Sequence, residues 1–273
     1  LNRPVYRDCK EEILAGLAEM EQKPHETVTV RSFDGLNLAG EYYPHPNARG
    51  TILMFHGWRS APLMDCGCAA PSYHRNGLNT LLVYQRAQGK SEGKYMTFGI
   101  RERRDVHAWV RWHANRFGKD APLLLTGLSM GAASVLMACG EPFEGNVRGV
   151  IADCGFTSAH AIWDHVCRDG LHLSYGLHRY GAERLCRRKI RVGTKDYSTV
   201  EALAHCRVPV LFVHGLEDDF VPPEMTYENF GACAAPKRLL TVPGAGHGLS
   251  FPVDQEYYLQ TLRDFFGPEA SWQ

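Results

Sequence analysis

The sequence predicts an α/β fold, a doubly wound and mostly parallel sheet with an N-terminal antiparallel hairpin. Three observations predict it. Six short, continuously apolar runs, TILMFHG (51–57), TLLVY (80–84), PLLLTG (122–127), VRGVIADCG (147–155), PVLFVHG (209–215) and RLLTVPG (238–244), have the character of strands buried on both faces. Helix-compatible stretches at 62–75, 100–116, 130–140, 199–206, 223–233 and 253–266 fall between or beside them, and strands alternating with helices form parallel sheets covered on both sides. Ahead of these, TVTVRSF and LNLAGEYY alternate apolar and polar residues on either side of Asp34-Gly35, which marks a hairpin.

A helix is expected around EEILAGLAEM, before the hairpin. One interval breaks the rhythm: residues 157–198 separate two strands by far more than one crossover helix requires. The segment is aromatic and histidine-rich, and its eight basic and four acidic residues give it a net charge of +4. The expected organisation is one domain, 1–273, with 157–198 as a helical insertion, either a solvated surface or a lid that attracts anionic substrates.

Bulk composition narrows the function. The 273 residues are 44% hydrophobic and 22% charged, enough for a sizeable core without disulfides or metals. Thirty basic residues offset thirty acidic ones, so no global field favours nucleic acid or an anionic membrane, and a small-molecule partner is expected. Nine scattered cysteines read as free thiols in a reducing compartment, which favours a cytoplasmic location. Cys66 and Cys68 in DCGC lack a second pair at zinc spacing. No apolar run is long enough for a membrane-spanning helix. The polar start LNRPVYRDCKEE is unlike a signal-peptide core, and a start at Leu1 is consistent with removal of an upstream segment.

The chemistry concentrates in Gly127-Leu128-Ser129-Met130-Gly131, a G-x-S-x-G pattern with an apolar strand before it and a helix-like stretch after it. Outside that context, a glycine-flanked serine in an ordinary turn would be the simpler reading. A serine hydroxyl needs a base within hydrogen-bond reach, itself oriented by a carboxylate. His247, in the glycine-flanked loop VPGAGHGLS after the last strand, has the best position among thirteen histidines. The acid is expected in FVHGLEDDFVPP, where spacing leaves Glu217, Asp218 and Asp219 open. For an oxyanion, the backbone N–H of Met130 at a helix start and that of Trp58 after His56-Gly57 are the candidate donors. His56 itself reads as a residue that shapes this loop.

With Ser129, an acid near 218 and His247 in that chain order and an H-G loop after an early strand, the sequence resembles the α/β-hydrolase superfamily over nearly its whole length. QGKSEGKYMTFG, GLSMGAAS, HGLEDDFVP and GAGHG are similar to bacterial serine esterases of the prolyl-oligopeptidase-like and cinnamoyl-esterase-like branches. In such families HG-x-x-D-x-x-VP carries the acid, so the resemblance implies Asp218, with Pro222 closing the motif. It also implies ester substrates and no cofactor or metal. Where related sequences show D-x-R-x-H-G-x-S, this one has Tyr84 for the aspartate and Gln88 for the histidine.

Rival chemistries fit poorly. The GKS at 89–91 lacks the earlier glycine of a phosphate-binding loop, because Tyr84 stands there. No H-E-x-x-H occurs, and His160 and His165 are five apart, off one helical face. The expectation is therefore a serine esterase that works through an acyl-enzyme. The alternatives are acyl transfer or peptide cleavage by the same triad, or an idle binding protein on this fold. Trp58, Trp163, Tyr175 and Leu171 are candidate pocket residues. Nucleic-acid binding and stable membrane insertion are not expected, and the oligomeric state is open.

Overall fold

The computed structural model describes residues 8–171 and 175–267. The opening helix α1 (Lys10–Glu21) buries Ile13, Gly16 and Met20 against the body of the protein. The hairpin follows as β1 (Glu26–Arg31) and β2 (Asn37–Tyr43), paired antiparallel so that Arg31 faces Asn37. Gly35 takes a φ of 87° at the turn, and the Ser32 hydroxyl accepts the Leu36 N–H at 2.8 Å.

The six apolar runs become β3 (Gly50–Phe55), β4 (Leu78–Val83), β5 (Leu123–Leu128), β6 (Val147–Asp153), β7 (Val210–Gly215) and β8 (Lys237–Val242). They join the hairpin in one sheet of order β1-β2-β4-β3-β5-β6-β7-β8. β2 runs antiparallel to β4, and every pairing from β4 to β8 is parallel. All residues of β4 and β7 are buried, as strands covered on both faces must be.

Two apolar layers provide that cover. On one face α4 (Glu102–Phe117) and α5 (Met130–Ala138) bring Trp109, Val110, Val135 and Leu136 against Leu53, Leu125 and Phe212. On the other, α1 and the short α2 (Pro62–Cys66) and α3 (Ala70–Arg75) pack with the C-terminal helices against Ile52, Leu124 and Leu211. Every residue of α5 is buried, which explains why its sequence, MGAASVLMA, is apolar all round.

One expected helix is divided, for a local reason. The stretch 62–75 stops at Cys66 and restarts at Ala70, where Pro71, which has no N–H to donate, occupies the first turn. A Cβ on Gly67 in this break would come within 2.2 Å of the Leu63 carbonyl oxygen, so the close approach needs glycine. The helices α6 (Ala159–His165), α7 (Tyr175–Ile190), α8 (Thr199–Leu203), α9 (Pro223–Ala232), α10 (Ser250–Val253) and α11 (Gln255–Phe266) follow in chain order, and α11 accounts for the expected stretch 253–266 save its first two residues. Asp254 separates the last two, and its carboxylate caps α11 by accepting the Tyr257 N–H at 3.0 Å.

Residues 157–198 therefore contain α6, a π-helical turn at Val166–Gly170, and α7. Ser158 caps α6 by accepting the Ala161 N–H. Glu183 of α7 accepts both the N–H and the hydroxyl of Thr194, and Arg187 bridges Glu183 and Asp196. These contacts bring the returning chain back along α7 to α8.

The strand order reverses at β3, which lies between β4 and β5. The loops leaving β3 and β5 diverge from that point, and open α/β sheets present their ligand crevice there, beyond the carboxyl ends of the strands.

Trp109 is fully buried between α4 and the sheet, with its ring 5.7 Å from that of Trp112. Trp109→Ala is expected to cost roughly 3–5 kcal/mol in urea unfolding, because a large cavity would open in a layer that cannot collapse. Trp109→Phe should recover most of that loss.

Candidate active site

β5 ends at Leu128, and the chain turns so sharply into α5 that Ser129 has φ 55° and ψ −114°. Left-handed φ is costly for a residue with a Cβ. The turn is held by the Ser129 N–H, which donates to the Asp153 carbonyl at 2.9 Å, and by the small residues around it. A Cβ on Gly131 would lie 2.0 Å from the Phe55 carbonyl oxygen, and one on Gly127 would lie 2.3 Å from Gly131. Strand and helix can approach this closely only with glycine at both positions.

The structure brings Ser129, His247 and Asp218 together. Ser129 Oγ lies 3.0 Å from His247 Nε2, and His247 Nδ1 lies 2.7 Å from Asp218 Oδ2. A carboxylate accepts, so Nδ1 carries the proton and Nε2 is left to accept from the serine hydroxyl. Ser129 and the Asp218 carboxylate are buried, whereas the imidazole is partly exposed and its ring packs edge-on against Phe220, 5.0 Å between centroids. Glu217 and Asp219, the other acids that spacing left open, are exposed.

Asp218 is also held from behind. Its Oδ1 accepts the N–H groups of Phe220 and Val221 at 3.0 and 2.9 Å. The wholly buried His214 stands 3.2 Å from Oδ2, with its Nε2 shared between Asp218 and the Val221 carbonyl and its Nδ1 2.6 Å from the Thr226 hydroxyl. Burial alone would raise the Asp218 pKa, but the donated hydrogen bonds from His214 and His247 outweigh it and hold the carboxyl well below its ordinary range. His214 responds in the opposite sense: burial pushes it down, and its contact with Asp218 brings it above its usual value.

The loop after β3 lies across from Ser129. Asp65 of α2 accepts the Gly57 N–H at 2.7 Å and the Ser60 hydroxyl at 2.5 Å, which fixes the turn that carries Trp58. His56 is fully buried; its Nε2 accepts the Gln85 N–H and its Nδ1 donates to the Gly57 carbonyl, so it shapes the loop and has no path to substrate. The backbone N–H groups of Trp58 and Met130 donate to no acceptor among the described residues.

An apolar wall adjoins Met130. Ala133, Phe156, Ile162 and Val221 are buried with it, and Phe98, Trp163 and Met225 pack against them. Phe98 is the hub, with its ring 6.0 Å from Trp58, 5.3 Å from Trp163 and 6.2 Å from Phe156. Trp163 thus joins the wall and Trp58 borders it, whereas Leu171 is exposed. The side chain of Tyr175 lies outside the described residues.

Asp65 and Asp153 carried no sequence signal, and His214 and Phe98 stood inside HG-x-x-D-x-x-VP and QGKSEGKYMTFG without a role being assigned to either. Phe98 has φ 53°, a conformation no propensity would assign to phenylalanine. Where Tyr84 and Gln88 depart from the related pattern, Arg86 pairs with Asp34 at 3.0 Å and Asp105 at 2.6 Å, and Ser91 ties the loop to Tyr84 and Ala39.

All nine cysteines are free. Among the described residues, the ligand atoms of Cys154, Asp218 and His247 lie within 4.8 Å of one another. Asp218 and His247 already share a proton, and burial raises the Cys154 thiol well above its ordinary pKa, so the group is arranged for proton transfer and not as a ready coordination sphere. Cys66 and Cys68 lie outside it. Among the described residues, no helix is long and apolar enough to cross a membrane.

Known proteins resemble this chain in sequence and in fold. The uncharacterized protein YqkD of Bacillus subtilis is 24% identical over 249 residues, covering 90% of this chain and 80% of its own. The Pyrococcus furiosus esterase Pf2001 superposes with a TM-score of 0.69 at 19% identity, covering 90% of this chain and 93% of that one. Acetyl xylan esterase 1 from Thermoanaerobacterium does so at 0.62 and 16%, covering 98% and 94%. These likenesses establish the α/β-hydrolase fold. The profile of the prolyl oligopeptidase family matches residues 92–271, which span the Ser129 turn, Asp218 and His247, and the chain belongs to that family.

Proposed function

We propose that the protein is a serine hydrolase that cleaves carboxylic esters through an acyl-enzyme. The observation that carries the proposal is the continuous relay from Ser129 Oγ to His247 Nε2 and from His247 Nδ1 to Asp218, with distances of 3.0 and 2.7 Å. In this reading Ser129 attacks the ester carbonyl as His247 takes its proton, and Asp218 fixes the tautomer and stabilises the imidazolium. The N–H groups of Met130 and Trp58 receive the oxyanion, aided by the dipole at the start of α5. His247 then protonates the leaving alcohol, and a water activated by the same histidine releases the acid.

The apolar wall around Phe98 and Trp163 suits an acyl or aryl group, and two structural neighbours are described as esterases. The family name favours a second reading, peptide cleavage by the same three residues. In both readings the segment 157–198 caps the site, contributing Ile162 and Trp163 to that wall.

Asp153 connects the nucleophile to the histidine loop. Its carbonyl holds the Ser129 N–H, and its buried carboxylate accepts the Ser250 hydroxyl at 2.8 Å, three residues beyond His247. We assign the pair Asp153–Ser250 a positioning role.

Three outcomes test this reading. Ser129→Ala and His247→Ala should each lower kcat on a nitrophenyl ester by about 10⁴-fold or more, and Ser129→Ala should abolish labelling by a fluorophosphonate probe. Faster turnover of aminoacyl-nitroanilides than of any ester would favour the peptidase reading.

Asp218→Asn should also be severe, because it favours the wrong tautomer, whereas Glu217→Gln should leave activity near that of the parent. The reverse pattern would move the acid to Glu217.

Burial pushes the Asp153 carboxyl up to about 6. The folded state then binds its proton more tightly than the unfolded chain, so this group's contribution to stability falls as pH rises between about 4 and 6. In urea titrations across that window, Asp153→Asn should lose this fall, and the difference between the two proteins should change with pH in that sense. A constant difference would sink the assignment.

A further inference from the structure

The three most exposed large apolar side chains among the described residues are Tyr180, Leu171 and Leu185, at 72, 59 and 57%. All three lie in the cap, in α7 or just before it. α7 is also where the positive charge concentrates: Arg179, Arg184, Arg187, Arg188 and Lys189 fall within its sixteen residues.

Their spacing spreads them over one half of the helix circumference, with Tyr180 at one edge and Leu185 and Lys189 toward the other. Tyr180, Arg184 and Arg188 are four apart, and Leu185 and Lys189 form a parallel row beside them, all exposed. Ala182, Glu183, Cys186 and Ile190, on the opposite side, are half-buried. Arg187 is engaged by Glu183 and Asp196, whereas Arg184, Arg188 and Lys189 reach no carboxylate among the described residues. The outer face of α7 thus combines unpaired cations with unburied Tyr and Leu side chains.

An acidic protein or a nucleic acid would satisfy the cations and leave the leucine in water, and a neutral bilayer would do the reverse. A second copy would bring one basic cap against another. An anionic lipid surface satisfies both, because headgroup phosphates pair with arginines while Leu and Tyr side chains enter the acyl boundary. We propose that the outer face of α7 docks on an anionic bilayer, with the helix lying in the interface. On the ester-hydrolase reading, on which this consequence rests, the substrate class is an ester-bearing amphiphile taken from that surface toward the Phe98–Trp163 wall.

Vesicle flotation tests the docking without reference to catalysis. The full chain should float with vesicles of phosphatidylglycerol and phosphatidylcholine and not with phosphatidylcholine alone, and added salt should weaken binding. Arg184→Glu with Arg188→Glu should lower the apparent affinity at least about tenfold, as the loss and reversal of two surface charges implies. Tyr180→Ser with Leu185→Ser should weaken binding at every salt concentration. Both double variants should hydrolyse a soluble short-chain nitrophenyl ester at the parent rate, which shows them folded, and Ser129→Ala should float like the parent.

No binding of the parent to anionic vesicles, or equal binding by the charge-reversed variant, would overturn the docking. Self-association detected by light scattering and lost in the same variants would assign the face to a second copy and also overturn it. Flotation of a protein that hydrolyses soluble esters but no ester lipid in the vesicle would refute the substrate class alone. Flotation with no ester hydrolysis of any kind would instead count against the ester-hydrolase reading.

Discussion

The whole arrangement depends on how closely the start of α5 approaches β3 and β5. Gly131 nearly touches the Phe55 carbonyl, and Gly127 nearly touches Gly131. This contact forces the chain to turn within one residue, and it is why Ser129 adopts a conformation that L residues avoid. The strain persists because α5 is buried along its full length and cannot move away. A looser contact would relax the turn and withdraw the hydroxyl from His247.

The second constraint is electrostatic. A carboxylate excluded from solvent is costly unless every lone pair is used. Asp218 meets that condition with two backbone N–H groups and two imidazoles. It therefore stays ionised where burial alone would protonate it, and an ionised Asp218 keeps the His247 proton on Nδ1. His214 matters here because it fills the remaining acceptor site on the carboxylate from inside the protein, where water cannot. The neighbouring carboxyl, Asp153, is wholly buried, takes a hydroxyl as its donor and has no salt-bridge partner among the described residues, and burial shifts it upward. Two buried acids a short distance apart are thus driven in opposite directions by the donors each receives.

Local pattern carried much of this. Alternation, apolar runs and the glycines around Ser129 are properties of neighbouring residues, so the hairpin, the parallel strands and the turn could be read directly from sequence. The choice of acid could not. Glu217, Asp218 and Asp219 differ only in which one the turn after Gly215 buries, and that depends on Phe220, Val221 and His214 together; only the resemblance to a known motif distinguished them beforehand. Asp65, Phe98 and Asp153 were hidden for the same reason. Each acts outside its own run of sequence: Asp65 on Gly57 across a loop, and, far away in the chain, Phe98 on Trp58 and Trp163 and Asp153 on Ser250. The divided helix at 62–75 reflects Pro71, whose effect on backbone geometry is stronger than the apolar periodicity around it.

Phe98 also links the site to its cover. Its ring contacts Trp58, on the loop whose N–H faces the proposed oxyanion, and Trp163, on the first helix of the cap. An aromatic held at positive φ has little freedom to shift alone, so displacement of α6 would have to be felt at Trp58 through this stack. Asp65 resists that displacement from the other side by holding Gly57. The position of the proposed oxyanion loop therefore depends on two anchors of different character: a side-chain hydrogen bond from α2, which covers the sheet, and an aromatic contact that reaches α6 through Phe98.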